Sequence, residues 1–313
     1  MTKNNLKGSA ILLLAALIWG LAFVAQSDAA DHIPPFAFNA LRSIIAAVLL
    51  GGLLALRCRK NGQSFIPTNR NAALLTLLGG AACGIFLAIS VNLQQAGLGS
   101  YPDGVAASAR GGFITAIYVI IVPILSVIFG KRIPWSVWPA VLVALSGTYL
   151  LCLAGGLGGL YLGDALMIGC ATCFSFQILC IDRFGEAIGG VRLSFIQFSV
   201  CAVISLALSL IFEPGGFALE GIKNAFWAIL YLGVMSSGVA YTLQIIGQRY
   251  AEPAIASLTM SLESVFAALG GWVIAGDYLS PREICGCALV FLAIIIVQIP
   301  DLVSLKKKKL KEK

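Results

Sequence analysis

The sequence predicts an all-α integral membrane protein with ten transmembrane helices arranged as two inverted five-helix repeats. Three observations lead there. Of its 313 residues 59% are hydrophobic and only 11% are charged, where an ordinary soluble domain is about half apolar and about a quarter charged. So few charges cannot cover a water-facing surface, which excludes a soluble enzyme. Uncharged stretches such as 9–27 and 72–95 exceed the ~18 residues that mark a membrane span. Finally, the pattern of the chain repeats after five spans. Five is odd, so the second unit enters the membrane from the opposite side.

Apolar runs bounded by charges and turn residues place the spans at 9–27, 34–56, 72–95, 104–129, 135–154, 164–181, 191–212, 224–247, 253–275 and 281–300. The first follows Lys3 and Lys7 and so has the charge layout of a signal peptide. Its long apolar stretch, the nine spans behind it and the lack of a convincing cleavage site make it a helix instead. Pro123 within the fourth span is expected to kink it and free a carbonyl. Pro253 opens the ninth, where a missing N–H costs little. Small-residue spacings, Ser236 with Ala240 and Gly271 with Ala275, suit close helix crossings.

The basic residues orient the bundle. With a cytoplasmic N-terminus, seventeen of the 21 lysines and arginines fall on the cytoplasmic side: Lys3, Lys7, Arg57, Arg59, Lys60, Arg70, Lys131, Arg132, Arg183, Arg192, Arg249 and six lysines from Lys306 onward. Only Lys223 and Arg282 face the other way, and Arg42 and Arg110 lie within spans. This is the positive-inside asymmetry of a plasma-membrane protein with both termini cytoplasmic. The net charge of +7 therefore implies no nucleic acid. It reflects that bias and a basic tail, 301–313, set among anionic head groups of the bilayer.

A shift of 154 lays the third span on the eighth, so that Cys83, Leu87, Ser90 and Gln94 meet Ser237, Tyr241, Gln244 and Gln248 on one helical face. A shift of 155 brings Asn39 and Arg42 onto Ser194 and Gln197, and a shift of 146 brings Gly130 onto Gly276. The repeats are placed at 8–154 and 161–300, with the glycine-rich connector Gly155–Gly163 as their hinge. Inverted repeats of this kind put a binding site near the bilayer midplane, where the halves rock against each other.

Certain motifs stand in order along the spans: Ala16-Leu-Ile-Trp-Gly20, Ala37-Phe-Asn-Ala-Leu-Arg42, Gly163-Asp-Ala-Leu, Cys180-Ile-Asp-Arg-Phe184, Ser261-Leu-Glu-Ser-Val-Phe266 and Gly276-Asp-Tyr-Leu-Ser280. With ten spans in two inverted halves, the chain from Gly8 to Gln298 resembles the EamA-type members of the drug/metabolite transporter superfamily. The resemblance implies a central cavity lined by helices one to four and six to nine, with the fifth and tenth peripheral. Many such members carry a proline after the small-residue stretch of the ninth helix; here Glu263 stands near that position.

Three charges lie clearly inside the spans, Arg42, Arg110 and Glu263. Each costs about 2.5–3.5 kcal/mol on insertion scales, so each should face a cavity or a partner. Helical rise places Glu263 ~15 Å and Arg42 ~12 Å deep, and the two are expected to approach near the midplane. Arg110, only ~9 Å in, either joins them or snorkels outward. Two arginines against one carboxylate leave a surplus positive charge that a carboxylate or phosphate on the substrate would neutralise. Polar stripes add Trp19 with Phe23 and Gln26, Asn39 with Arg42, Gln177, Gln197 with Ser194, and Tyr241 with Gln244. For any one of these, helix–helix glue is the simpler role.

The function that follows is a secondary transporter for a small polar or amphipathic metabolite, anionic by the charge count and driven through Glu263 if protons are coupled. There is no ATP-binding motif, and no cofactor or metal is implied. Eight of the nine cysteines fall within spans and the ninth, Cys58, at a helix end. Cys170 and Cys173 have redox spacing but no histidine nearby, and read as small contact residues. The alternatives are a membrane-embedded enzyme, which lacks a nucleophile–base pair and metal ligands, His32 in the outer loop beside Asp28 and Asp31 making a poor metal site, and a channel-like facilitator, which lacks a filter loop. A homodimer is left open.

Overall fold

The computed structural model describes residues 5–102, 107–152, 160–270, 272–273 and 280–311. These residues form helices and short turns. Nine stretches are long and apolar enough to cross a membrane, and Val137–Leu151 is a shorter apolar helix. The Gly276-Asp-Tyr-Leu stretch, the Gly271–Ala275 spacing and most of the glycine connector lie outside the described residues, as do the side chains of the lysine tail.

The first unit opens with α1 (Asn5–Ala30), α2 (Pro35–Asn61) and α3 (Arg70–Leu98). Asn69 starts α3, its side chain accepting from the amides of Asn71 at 2.9 Å and Ala72 at 3.2 Å, which satisfies donors the first turn would otherwise leave bare. The expected fourth span is two helices, α4 (Ala107–Thr115) and α5 (Tyr118–Ile128), and α6 (Val137–Cys152) closes the unit. The second unit runs through α7 (Leu162–Ile188), α8 (Gly190–Phe212) and the short α9 (Leu219–Asn224). Its third crossing is α10 (Phe226–Tyr231), a π-helix over Leu232–Ala240, and α11 (Tyr241–Gln248). The ninth span is again two helices, α12 (Pro253–Met260) and α13 (Glu263–Gly270), and the last is α14 (Pro281–Lys311).

The two breaks occupy corresponding places in the units. At each, the chain tightens into three-residue turns: Ile117 N donates to Ile114 O at 3.1 Å in one, and Leu262 N to Thr259 O at 3.3 Å in the other. In the second unit the cause is local. The hydroxyls of Ser257, Ser261 and Ser264 each donate to a carbonyl three residues back, at 2.9, 2.7 and 2.8 Å, and such back-bonding bends helices. In the first unit the kink expected at Pro123 appears instead upstream, at Ala116–Ile117, and α5 runs on through the proline. Pro123 has no N–H to return to the Val119 carbonyl, so it weakens the first turn of α5, and Gly111-Gly112 sits just before the break.

Corresponding spans of the two units meet: α2 packs along α8, α6 along α14, and the broken spans α4–α5 and α12–α13 meet through α5 and α12, while α3 lies along α7. The α6–α14 crossing needs glycine on both sides. A Cβ on Gly147 would stand 2.8 Å from the Gly286 carbonyl oxygen, and one on Gly286 would stand 2.7 Å from that of Gly147. This reciprocal contact gives the two units their two-fold relation at the edge of the bundle. The broken helices α4–α5 and α12–α13 give it at the centre.

Candidate functional site

Glu263 is the first residue of α13 and Tyr118 the first of α5, so each stands where a broken helix resumes. The Tyr118 hydroxyl donates to Glu263 Oε1 at 3.3 Å across the meeting point of the two units. Ten residues separate Glu263 from the start of α12, or ~15 Å of helix, about half the ~30 Å hydrocarbon core. Helix α1 fits closely here because Gly20 has no side chain: a Cβ would lie 2.8 Å from the Glu263 carbonyl oxygen and 2.5 Å from Phe266 Cβ. That contact carries Trp19, Phe23 and Gln26 to the same place.

Together these residues line a central cavity with Arg42 from α2, Gln94 from α3, Thr115 and Tyr118 at the first break, Phe174 and Ile178 from α7, Ser236 from the π-helix, Tyr241 and Gln244 from α11, and Met260 and Glu263 at the second break. Among the described residues α6 and α14 contribute nothing to the lining, and α8, which the resemblance placed at the cavity, stands behind the wall. The volume open to the centre of a water molecule is about 50 Å³, room for three or four waters at ~10–15 Å³ each. This is a narrow chamber.

Arg42 and Glu263 face this chamber but do not pair with each other. Arg42 is 3% exposed; its Nη1 donates to Gln26 Oε1 at 3.1 Å, and its Nε has no partner. Both charges are thus held by neutral groups. Trp19 and Tyr241 form an aromatic wall of the chamber, edge to face at 4.8 Å, with Phe198 against Tyr241 at 5.2 Å. The Trp19 indole N–H is buried without a partner. Unmatched donors on Trp19 and Arg42 and an unmatched acceptor on Gln244 Oε1 leave hydrogen bonds open among the groups that line the chamber.

Gln177 and Gln197 stand behind the wall and hold Gln244. Gln244 Nε2 donates to Gln177 Oε1 at 3.2 Å, and Gln177 Nε2 to Gln197 Oε1 at 3.4 Å, a buried relay across α11, α7 and α8. Asn39 is further away. Its amide donates to Val91 O and to Asn92 Oδ1, both at 3.0 Å, tying α2 to α3, and Asn92 passes the tie to Ser205 on α8 at 2.8 Å. This is helix glue of the interhelical kind.

Arg110 does not line the chamber, nor does it snorkel. It forms a two-pronged pair with Asp164 at the start of α7, Nε to Oδ1 and Nη2 to Oδ2, both at 2.6 Å. Its guanidinium stacks on Tyr161 at 4.7 Å from the ring centre, and the Tyr101 hydroxyl donates to Asp164 Oδ1 at 3.0 Å. Burial and the neighbouring carboxylate push the Tyr101 phenol above its ordinary pKa, keeping it a donor. The charge count therefore changes: Arg110 is already neutralised by Asp164, and among the described residues the chamber is lined by one arginine and one carboxyl side chain rather than by a surplus of basic groups.

Of the residues singled out in the sequence, Arg42, Glu263, Trp19, Tyr241 and Gln244 meet in one cavity. Reasoning from sequence missed Tyr118, Thr115 and Met260. A signal for Tyr118 existed: an offset of 145 lays it on Glu263, one residue from the shift that aligns Gly130 with Gly276. Asp164 was within sight as well, as the first residue of the sixth predicted span.

Comparison with known proteins agrees with this architecture. The model of the EamA-like transporter family matches residues 6–153 and again 161–299. An uncharacterized transporter of Archaeoglobus fulgidus is 29% identical over 92% of this chain and 84% of its own length. The inner membrane transporter YedA of Escherichia coli K12 is 25% identical over 90% of this chain and 87% of its own length. The threonine/homoserine exporter RhtA of the same organism is 28% identical over 61% of this chain and 62% of its own. A protein of known crystal structure shares the fold with a TM-score of 0.72 at 21% identity, covering 93% of this chain and 96% of that one. The chain belongs to the EamA-like transporter family, and it is a multi-pass membrane transporter rather than an enzyme.

Proposed function

We propose that the protein exchanges a small zwitterionic metabolite of the α-amino-acid class for protons across the plasma membrane, with both termini cytoplasmic. The observation that carries this reading is the pair of buried charges, Arg42 and Glu263, that line one chamber without neutralising each other. A charge buried without a counter-charge is costly, and a ligand bearing both signs relieves both at once. The carboxylate of an amino acid takes the open donors of Arg42 and Trp19, and its ammonium group takes Glu263 and the free acceptor of Gln244. Trp19, Phe23 and Tyr241 then select the side chain by apolar contact. That a partial relative is named a threonine/homoserine exporter supports the substrate class.

The chamber as it stands admits a few waters but no amino acid, so the five-helix units, 8–154 and 161–300, rock apart to load and release it. A proton and an ammonium group compete for the one carboxylate of Glu263. That competition is the elementary requirement for exchange, and it directs the metabolite outward when protons are more concentrated outside. The count of seventeen basic residues on one side against Lys223 and Arg282 on the other supports the orientation, and the basic tail then lies on the anionic cytoplasmic leaflet.

The test is exchange by the purified protein in liposomes, with threonine, its amide and its deaminated acid as competing substrates under an imposed pH gradient. The zwitterion should be moved and both singly charged analogues refused, with pH dependence lost in Glu263→Gln. Equal transport of the amide or the acid, or full pH dependence in Glu263→Gln, contradicts the reading.

A further inference from the structure

Two cavities at the arginine-rich end of the bundle, far from the chamber, share a wall. One is a groove of about 390 Å³ facing outward from α3 and α8, lined by apolar side chains such as Phe65, Phe195 and Val203, with only Arg192 and Ser199 polar. The other is a pocket of about 290 Å³ lined by Arg57, Arg192 and Arg249, with no acidic side chain among the described residues that line it. Leu54 and Arg192 belong to both. Arg192 is fixed there by donating to Ser64 O and Phe65 O, each at 3.1 Å, so its guanidinium stands at the join. Arg57 and Arg249 are exposed. An apolar groove running into a three-arginine pocket at a membrane surface has the shape and charge of one amphiphile.

From this juxtaposition we infer a binding site for an anionic phospholipid, its phosphate held by Arg57, Arg192 and Arg249 and one acyl chain lying in the groove beside Phe195 and Val203. Arg57 and Arg249 can match phosphate oxygens by forked donation, Arg192 adds its positive charge and its Nη1 because Nε and Nη2 already donate to Phe65 O and Ser64 O, and basic pockets between transmembrane helices on the cytoplasmic side suit anionic head groups. The cytoplasmic placement rests on the orientation proposed above; the binding itself does not. The site spans the seam of the two units, since Arg57 lies near the end of α2 of the first and Arg249 follows α11 of the second. A bound phosphate therefore clasps the two units together at this end and slows their separation.

The test titrates full-length protein in detergent with dioleoyl-phosphatidylglycerol, dioleoyl-phosphatidylcholine and glycerol 3-phosphate, reading bound lipid by native mass spectrometry. Phosphatidylglycerol is expected to bind in preference to phosphatidylcholine of the same chains. Arg57→Ala with Arg249→Ala should weaken it about thirtyfold, with the lysine tail intact in every sample. Val203→Trp, which fills the groove and leaves the arginines alone, should also weaken phosphatidylglycerol but not glycerol 3-phosphate. Equal binding of the two lipids, no loss in the double arginine variant, or glycerol 3-phosphate binding as tightly as the lipid and no effect of Val203→Trp would each overturn the inference. Exchange in liposomes is scored separately, so failure of the substrate reading leaves this result unchanged.

Discussion

Arg42 and Arg110 are both arginines buried within membrane spans, 3% and 5% exposed, and their surroundings differ in kind. Arg110 is met by Asp164 through two bonds of 2.6 Å and covered by the rings of Tyr161 and Tyr101. Arg42 is met by the side-chain oxygen of Gln26 and keeps an unmatched Nε. The same side chain thus serves as a closed clamp in one place and an open donor in the other. An ionisable group inside a membrane is therefore not functional by position alone. In the proposed reading, what distinguishes the working charge is that its surroundings leave it unsatisfied.

The comparison is broken most severely at the open charges. Arg42→Gln or Glu263→Gln should lower exchange at least about thirtyfold, the range for removing one member of a buried charged contact with a ligand. The melting temperature should hold or rise, since each change removes a buried charge that lacks a counter-charge. Loss of both transport and stability would place Arg42 with Arg110 as a structural group.

The closed clamp should behave the opposite way. Arg110→Met should cost about 3–5 kcal/mol of stability by stranding Asp164, read by chemical unfolding in detergent, and Asp164→Leu should cost a similar amount. The double variant should recover most of it. A double variant no better than the singles contradicts the clamp. Within the chamber, Tyr118→Phe removes a donor from Glu263 and should reduce exchange by about fivefold, roughly one hydrogen bond. Smallest is Tyr101→Phe, about 0.5–1.5 kcal/mol of stability with transport unchanged.

Much of the fold was legible because lipid imposes strong rules. Apolar length places helices, and an odd repeat inverts the second unit. Arg42 and Glu263 stood out because few charges enter the spans at all. The partner of Arg110 did not, because Asp164 sits at a helix start where a carboxylate also belongs as a cap. The helix breaks were hidden for a different reason. Ser257, Ser261 and Ser264 look like contact residues in sequence, and only their hydrogen bonds reveal that they bend the chain. The roles of Gln177 and Gln197, supporting Gln244 rather than facing the chamber, likewise depend on which side of a packed helix they occupy.

The central claim is that a proton and the substrate's ammonium group compete for Glu263 while Arg42 holds the other end. Calorimetric binding of threonine, repeated in buffers of different ionisation enthalpy, counts the protons released on binding. At a pH low enough to keep Glu263 protonated in the free protein, the account predicts proton release on binding, weaker binding as pH falls further, and no release from Glu263→Gln. Equal proton release from the two, or binding with none from either, would contradict it.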